Sequence, residues 1–334
     1  MTPATTRGSG AIALAAYRPD PELFARQLVS LQNQTVRDFV CVISADGEVE
    51  DVQALVSEAT GADPRFTVTG HPDRVGFYAN FERAVRAVPA SVEWVALSDQ
   101  DDVWHADKLE RLVPLLQEHT IASGQARVVE FPSGRVIQAT TARRNSDALA
   151  LTAINQFSGA MSVFRREVLD LALPFPRMPT RVEVHDHWIA VCAAMLGPTV
   201  VVDDVLQDYV QHAANVLGEV AGNPERLRPA SALRTLLAAG QRYEGSRSPL
   251  ALARALYDMG FGWRAQMTAT LSARITPATT TLSTVQRVFG SATRSGYALR
   301  YLARGSIHGP SNALMLTSGK ALHPWLGRRL PPAR

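Results

Sequence analysis

Up to about residue 120, short apolar runs alternate with segments whose apolar positions recur at helical spacing. AIALAAY (11–17), FVCVISA (39–45), RFTVT (65–69) and VEWVALS (92–98) are apolar or rich in β-branched residues, which predicts buried strands. Between them, PELFARQLVSLQNQ (21–34) sets Leu23, Phe24, Gln27, Leu28 and Leu31 along one side of a helix. Further helices are predicted near 49–59, over GFYANFERAVRAV (76–88) and over HADKLERLVPLLQEH (105–119). This alternation predicts an α/β fold, a mostly parallel sheet with helices on both faces.

The middle of the chain is less regular. ARVVEFPSGRVIQAT (126–140) reads as two strands around a Pro-Ser-Gly turn, and AMSVFRREVLDLALP (160–174) as a strand that becomes a helix. VHDHWIAVCAAMLG (184–197) predicts a helix stopped by Gly197-Pro198, followed by two strands, TVVVDD (199–204) and VLQDYVQH (205–212). Beyond Gly222 the pattern changes to Arg, Ala and Leu with scattered Gly and Pro, which predicts several helices. The expected organisation is a disordered polar lead (1–10), an α/β domain (11–220) and a basic, mostly helical extension (221–334).

Composition narrows the class. A 46% hydrophobic content with 19% charged residues excludes a disordered chain. No run approaches the roughly 20 apolar residues of a membrane span. Cys41 and Cys192 lie in apolar runs without a CxxC partner, which predicts reduced core residues and a cytoplasmic setting. The net charge of +3 is unevenly spread, since residues 221–334 hold 15 Arg and 1 Lys against Glu225, Glu244 and Asp258, a surplus of 13. The Arg-bearing segments LRTLLAAGQRY, ALARALYDMGFGWRAQM and YALRYLARG suit either a solvated helical appendage or peripheral attachment to an anionic membrane surface. No nucleic-acid module accompanies the charge, so nucleic acid is not an expected partner.

The densest polar cluster is SDQDDVWHADKL, which sets Asp99, Asp101 and Asp102 within four positions at the end of an apolar run. Such carboxylates repel, so they form either a solvated capping turn or a site for a divalent cation completed by substrate phosphates and water. The Trp104-His105 continuation breaks the alternating acidic pattern of a helix–loop–helix calcium site. Two other polar clusters, Tyr17-Arg18-Pro19-Asp20 and Ala45-Asp46-Gly47, also fall at predicted strand ends, where open parallel sheets bind ligands.

These residues carry a resemblance. SDQDDVW followed by KL resembles the aspartate motif of family-2 glycosyltransferases of the GT-A fold, and HPDRVGFYANFERAV resembles their N-x-GF-x-x-NFERAL stretch. VISADG stands where such enzymes have Asp-Asp-Gly-Ser, and ALAAYRPD where they have Ala-Thr-Tyr-Asn. FSGAMSVFRREVL, VHDHW and YVQHAANVLG are similar to their small-residue strand, their catalytic-base segment and a closing motif of rhamnosyltransferase-like members. The similarity spans residues 11 to 218 in order. Ala45, Glu48, Arg18 and Ala213 depart from it.

The resemblance implies a GT-A, Rossmann-like sheet and an inverting, metal-dependent hexosyltransferase. Its donor would be a nucleotide-diphosphate sugar, TDP-rhamnose or a UDP-sugar, and its acceptor a hydroxyl of a cell-surface glycan or lipid-linked glycan. Asp186 would be the catalytic base. Tyr17, Asp46, Arg74, Asn80 and Asp99 would bind the donor nucleotide, while Gly159, Trp104 and Trp188 would line the sugar or acceptor pocket. Asp101, Asp102 and His212 would hold Mn2+ or Mg2+, although the residues alone leave open which pair of Asp99, Asp101 and Asp102 does so. A non-catalytic scaffold of the same fold that binds nucleotide sugar or glycan is the alternative. A sugar-phosphate nucleotidyltransferase would want a Gly-rich, Arg-bearing loop after the first strand, and AAYRPDPELF has none.

Overall fold

The computed structural model describes residues 9–179, 182–212, 229–290, 296–305, 309–327 and 330. The chain divides into two compact units, Met1–Asn145 with Gln156–Leu173 and His185–Ala221, and Ser146–Asn155 with Pro174–Val184 and Gly222–Arg334.

The first unit is built on strands β1 (Gly10–Ala16), β2 (Phe39–Asp46), β3 (Phe66–His71), β4 (Trp94–Ser98), β5 (Val103–Trp104), β6 (Ile121–Glu130), β7 (Val136–Gln138), β8 (Ser162–Arg165) and β9 (Thr199–Gln211). They form one mixed sheet in the order β3-β2-β1-β4-β8-β6-β9-β5, with β7 beside β6. The first four strands pair in parallel, and β8 runs antiparallel to both β4 and β6. Strand β1, central among them, is buried almost throughout, which is why its sequence is apolar rather than alternating.

Helices α1 (Pro21–Gln32), α2 (Val49–Thr60), α3 (Phe77–Arg86), α4 (Lys108–Leu112), α6 (Val168–Ala172) and α7 (His185–Leu196) complete this unit. Asp20 caps α1 by accepting from the backbone N–H groups of Glu22 at 3.0 Å and Leu23 at 3.1 Å, and Pro21 opens the helix. Phe24, Leu28 and Leu31 then pack with Ile12, Leu14, Cys41 and Ile43 in the core.

Two predicted boundaries shift. The single helix expected over 105–119 is instead the short α4 and a 3-10 turn at Val113–Gln117, because Pro114 has no N–H to continue the α-helical ladder. The two strands expected over 199–212 are one strand, whose pairing with β6 shifts register near Gln125.

The second unit is mostly helical: α5 (Ala148–Ala153), α8 (Pro229–Glu244), α9 (Pro249–Tyr257), a π-helical turn at Asp258–Gly262, α10 (Trp263–Arg274), α11 (Thr280–Phe289), α12 (Gly296–Leu302) and α13 (Pro310–Leu326). The short α5 belongs here because the buried Arg264 donates from Nε to the Ala153 carbonyl at 3.0 Å. The segments 146–155 and 174–184, expected within the α/β domain, are thus part of the helical unit. Among the described residues no helix is long and apolar enough to cross a membrane.

Candidate active site

The acidic cluster begins where β4 ends. Gln100 fixes the loop, accepting from the Tyr17 N–H at 2.7 Å and donating to the Tyr17 carbonyl at 3.2 Å, so the ends of β1 and β4 are tied together. Asp99, the first residue beyond β4, keeps some exposure. Burial pushes its carboxyl up to about 7, the like charges of Asp101 and Asp186 add to the rise, and Lys108 opposes it. Asp99, Asp101 and Asp186 therefore stand close enough for their charges to be felt together.

Asp101 meets the end of β9, where its Oδ2 lies 2.8 Å from His212 Nε2. Asp186 sits in the first turn of α7, the helix end that favours negative charge. Its Oδ2 accepts from the Gly159 N–H at 3.1 Å and its Oδ1 from the His187 N–H at 2.5 Å, which orients the carboxylate. Gly159 permits this approach. A Cβ there would lie 2.8 Å from His185 Nε2 and 3.4 Å from Asp186 Cβ. His185 cannot easily retreat, being stacked on Phe81 with ring centroids 3.7 Å apart, and burial lowers its pKa to about 3 so that it stays neutral. Gly159→Ala is expected to cost about 1–3 kcal/mol through overpacking and to lower activity by displacing Asp186. Urea denaturation and turnover measured on the same preparation check both.

Asp102 corrects the expected metal set. Its side chain is fully buried, with Oδ2 accepting from Gln207 Nε2 at 2.9 Å and Oδ1 from the Val210 N–H at 3.1 Å. Lys108, also fully buried, donates from Nζ to Gln207 Oε1 at 2.8 Å and to the Ala160 carbonyl, and lies 3.5 Å from the Trp104 ring centroid. Gln207 thus bridges an acid and an amine beneath the site. Burial raises the Asp102 pKa and lowers that of Lys108, while the charges of Lys108 and Asp102 each oppose the other's shift. Sequence reading passed over Lys108 and Gln207. The available signal was a lone lysine six positions after Asp102, inside the KL of the motif.

The expected nucleotide set also divides. Asp46 is 2% exposed, and its two oxygens accept from the N–H groups of Val75 at 2.7 Å and Gly76 at 2.8 Å. It shapes the loop entering α3. Asn80 likewise is turned inward, bonding Ser44 Oγ at 2.7 Å and the carbonyls of Ser44 and Ala16, which staples α3 to β1 and β2. Arg74 and Tyr17 instead form an accessible wall, with the exposed guanidinium 4.0 Å from the ring centroid. Arg18 turns away to pair with Glu48 at 2.9 Å.

Neither tryptophan offers an exposed ring to a ligand. Trp104 is 2% exposed, packed under Lys108, and Trp188 is fully buried with Nε1 donating to the Ala172 carbonyl at 2.8 Å. Both are core residues. In YVQHAANVLG, the part after His212 lies outside the described residues.

Known proteins resemble this chain in sequence or in fold. The chain is 26% identical over 200 residues to an uncharacterised glycosyltransferase of Nostoc sp., covering 57% of this chain and 61% of the relative, so it spans less than two thirds of that protein. S. aureus TarS 1–349, solved with UDP-GlcNAc, shares the fold at 12% identity with a TM-score of 0.53, covering 94% of this chain and 91% of TarS. A Pyrobaculum calidifontis mannosyltransferase solved with GDP-Man and Mn2+ superposes at a TM-score of 0.48 and 18% identity, covering 96% of this chain and 88% of its own. Residues 12–171 match the family described as Glycosyl transferase family 2, a span that includes the acidic loop and Gly159.

Proposed function

We propose that the protein is an inverting, metal-dependent glycosyltransferase. It would move a sugar from a nucleotide-diphosphate donor, TDP-rhamnose or a UDP-sugar, to a hydroxyl of a cell-surface or lipid-linked glycan. The observation that carries this reading is the gathering of Asp99, Asp101 and Asp186 at the carboxyl end of β4, with His212 beside Asp101.

The donor set fits a divalent cation. One carboxylate and one imidazole stand 2.8 Å apart with a second carboxylate nearby. Among the described residues no three His, Cys, Asp or Glu side chains are grouped as a complete metal site. Donor phosphates and water would complete the coordination. Asp101 and His212 would hold Mn2+ or Mg2+, which when bound neutralises charge on the leaving diphosphate. Asp186 acts on the acceptor. As the acceptor oxygen forms its bond to the anomeric carbon, the bond from that carbon to the diphosphate oxygen breaks and the hydroxyl proton passes to a carboxylate oxygen of Asp186. The Gly159 and His187 N–H groups hold that carboxylate in place throughout. Tyr17 and Arg74 offer the nucleotide a stacking wall.

Nucleotide binding tests this reading. UDP, TDP or GDP with Mn2+ should raise the Tm, and Asp101→Ala or His212→Ala should weaken the Mn2+-dependent affinity by about 10–100-fold. Equal stabilisation by a nucleotide in Mn2+ and in EDTA, unchanged by either substitution, would contradict it.

A further inference from the structure

Helix α13 buries Ala313, Leu316 and Gly319 yet also carries large apolar side chains on its outer face. Its two basic side chains turn inward. Lys320 is 6% exposed, with Nζ 4.5 Å from the Phe261 ring centroid, and His323 Nδ1 lies 3.0 Å from the Tyr257 hydroxyl. Its outer face carries Pro310, Leu314, Ala321 and Trp325, all exposed. Counted from Leu314, these positions are i−4, i, i+7 and i+11, which fall on one side of a 3.6-residue helix. Leu314 is 70% exposed and Trp325 69% exposed, the largest exposures among the large apolar residues described. No charge interrupts this stripe.

The neighbouring α12 exposes further apolar and basic side chains. Tyr297 and Leu299 are exposed on this helix, Arg300 and Arg304 are exposed beside them, and the exposed Arg287 lies 5.6 Å from the Tyr297 ring centroid. An apolar stripe with Trp and Tyr, rimmed by arginine, matches the physical requirements of an interfacial helix, which buries its apolar face in the headgroup region while cations meet anionic lipid. The surplus of 13 positive charges over residues 221–334 has the matching sign. A second copy of the chain fits less well, because a self-paired interface would bring the same arginines against each other.

We propose that the outer face of α13, with α12, is a docking surface for an anionic lipid bilayer. The proposal concerns the helical unit, and binding is scored without nucleotide sugar, so its failure and that of the transferase reading are separable.

The tryptophans supply the readout. Of the five in the sequence, Trp94, Trp104, Trp188 and Trp263 are at most 3% exposed, so quenching by acrylamide reports mainly on Trp325. With the full chain, vesicles of phosphatidylcholine and phosphatidylglycerol should protect Trp325 and carry the protein upward in flotation, whereas pure phosphatidylcholine should do so weakly. Leu314→Ser with Trp325→Ser should weaken vesicle binding by about tenfold or more without changing Mn2+-dependent nucleotide binding. Arg300→Glu with Arg304→Glu should weaken it and flatten its salt dependence. Trp325 remaining fully quenchable on anionic vesicles would overturn the proposal. So would protection that rises with protein concentration in the absence of lipid, which would mark a contact between copies.

Discussion

Asp186→Asn is expected to lower sugar transfer by about 10²–10⁴-fold, the contribution of a positioned general base, while donor affinity in Mn2+ stays unchanged. The amide cannot take the acceptor proton, yet its remaining oxygen can still accept from Gly159 or His187, so the loop and α7 hold their places. One N–H loses its acceptor, which costs on the order of 1 kcal/mol and gives a small, separately measurable fall in Tm. Single-turnover rates at saturating donor isolate the chemical step. Full activity in this variant would remove Asp186 from the mechanism.

Asp102→Ala is expected to act on stability. It strips a fully buried carboxylate from Gln207 and the Val210 N–H, and leaves the Lys108 amine buried without the acid that Gln207 links to it. Removing one member of a buried charged set typically costs about 3–5 kcal/mol. Asp101→Ala provides the contrast. Asp101 and His212 are partly exposed at the site, so losing that contact should change stability by about 1 kcal/mol or less while weakening Mn2+-dependent nucleotide binding. Urea denaturation of the two variants, with nucleotide titrations beside it, separates the roles. An Asp102→Ala protein as stable as Asp101→Ala but unable to use Mn2+ would return Asp102 to the metal.

The frame of the fold was legible because its strands are buried on both faces and therefore apolar throughout, as in β1 and β2. The position of the site followed from polar clusters placed directly after such strands. The inward or outward direction of neighbouring carboxylates was not legible. Asp101 and Asp102 differ by one position, and only the pairing of β5 with β9, about a hundred residues away, turns Asp102 to Gln207 and leaves Asp101 to His212. The loop-stitching bonds of Asp46 and Asn80 were not legible for the same reason: a polar residue at a strand or helix end can serve a ligand or stitch a loop, and its partners are distant in sequence. Trp104 and Trp188 lie beside chemistry-bearing residues in sequence, but tertiary packing places both in the core.

This cluster is proposed to serve a nucleotide-sugar donor through a divalent cation. Release of nucleoside diphosphate from a panel of nucleotide sugars, in Mn2+ and in EDTA, tests it most directly. At least one donor should be turned over in Mn2+, EDTA should abolish the turnover, and Asp101→Ala should do the same. Turnover that persists in EDTA and in the Asp101→Ala variant would contradict it.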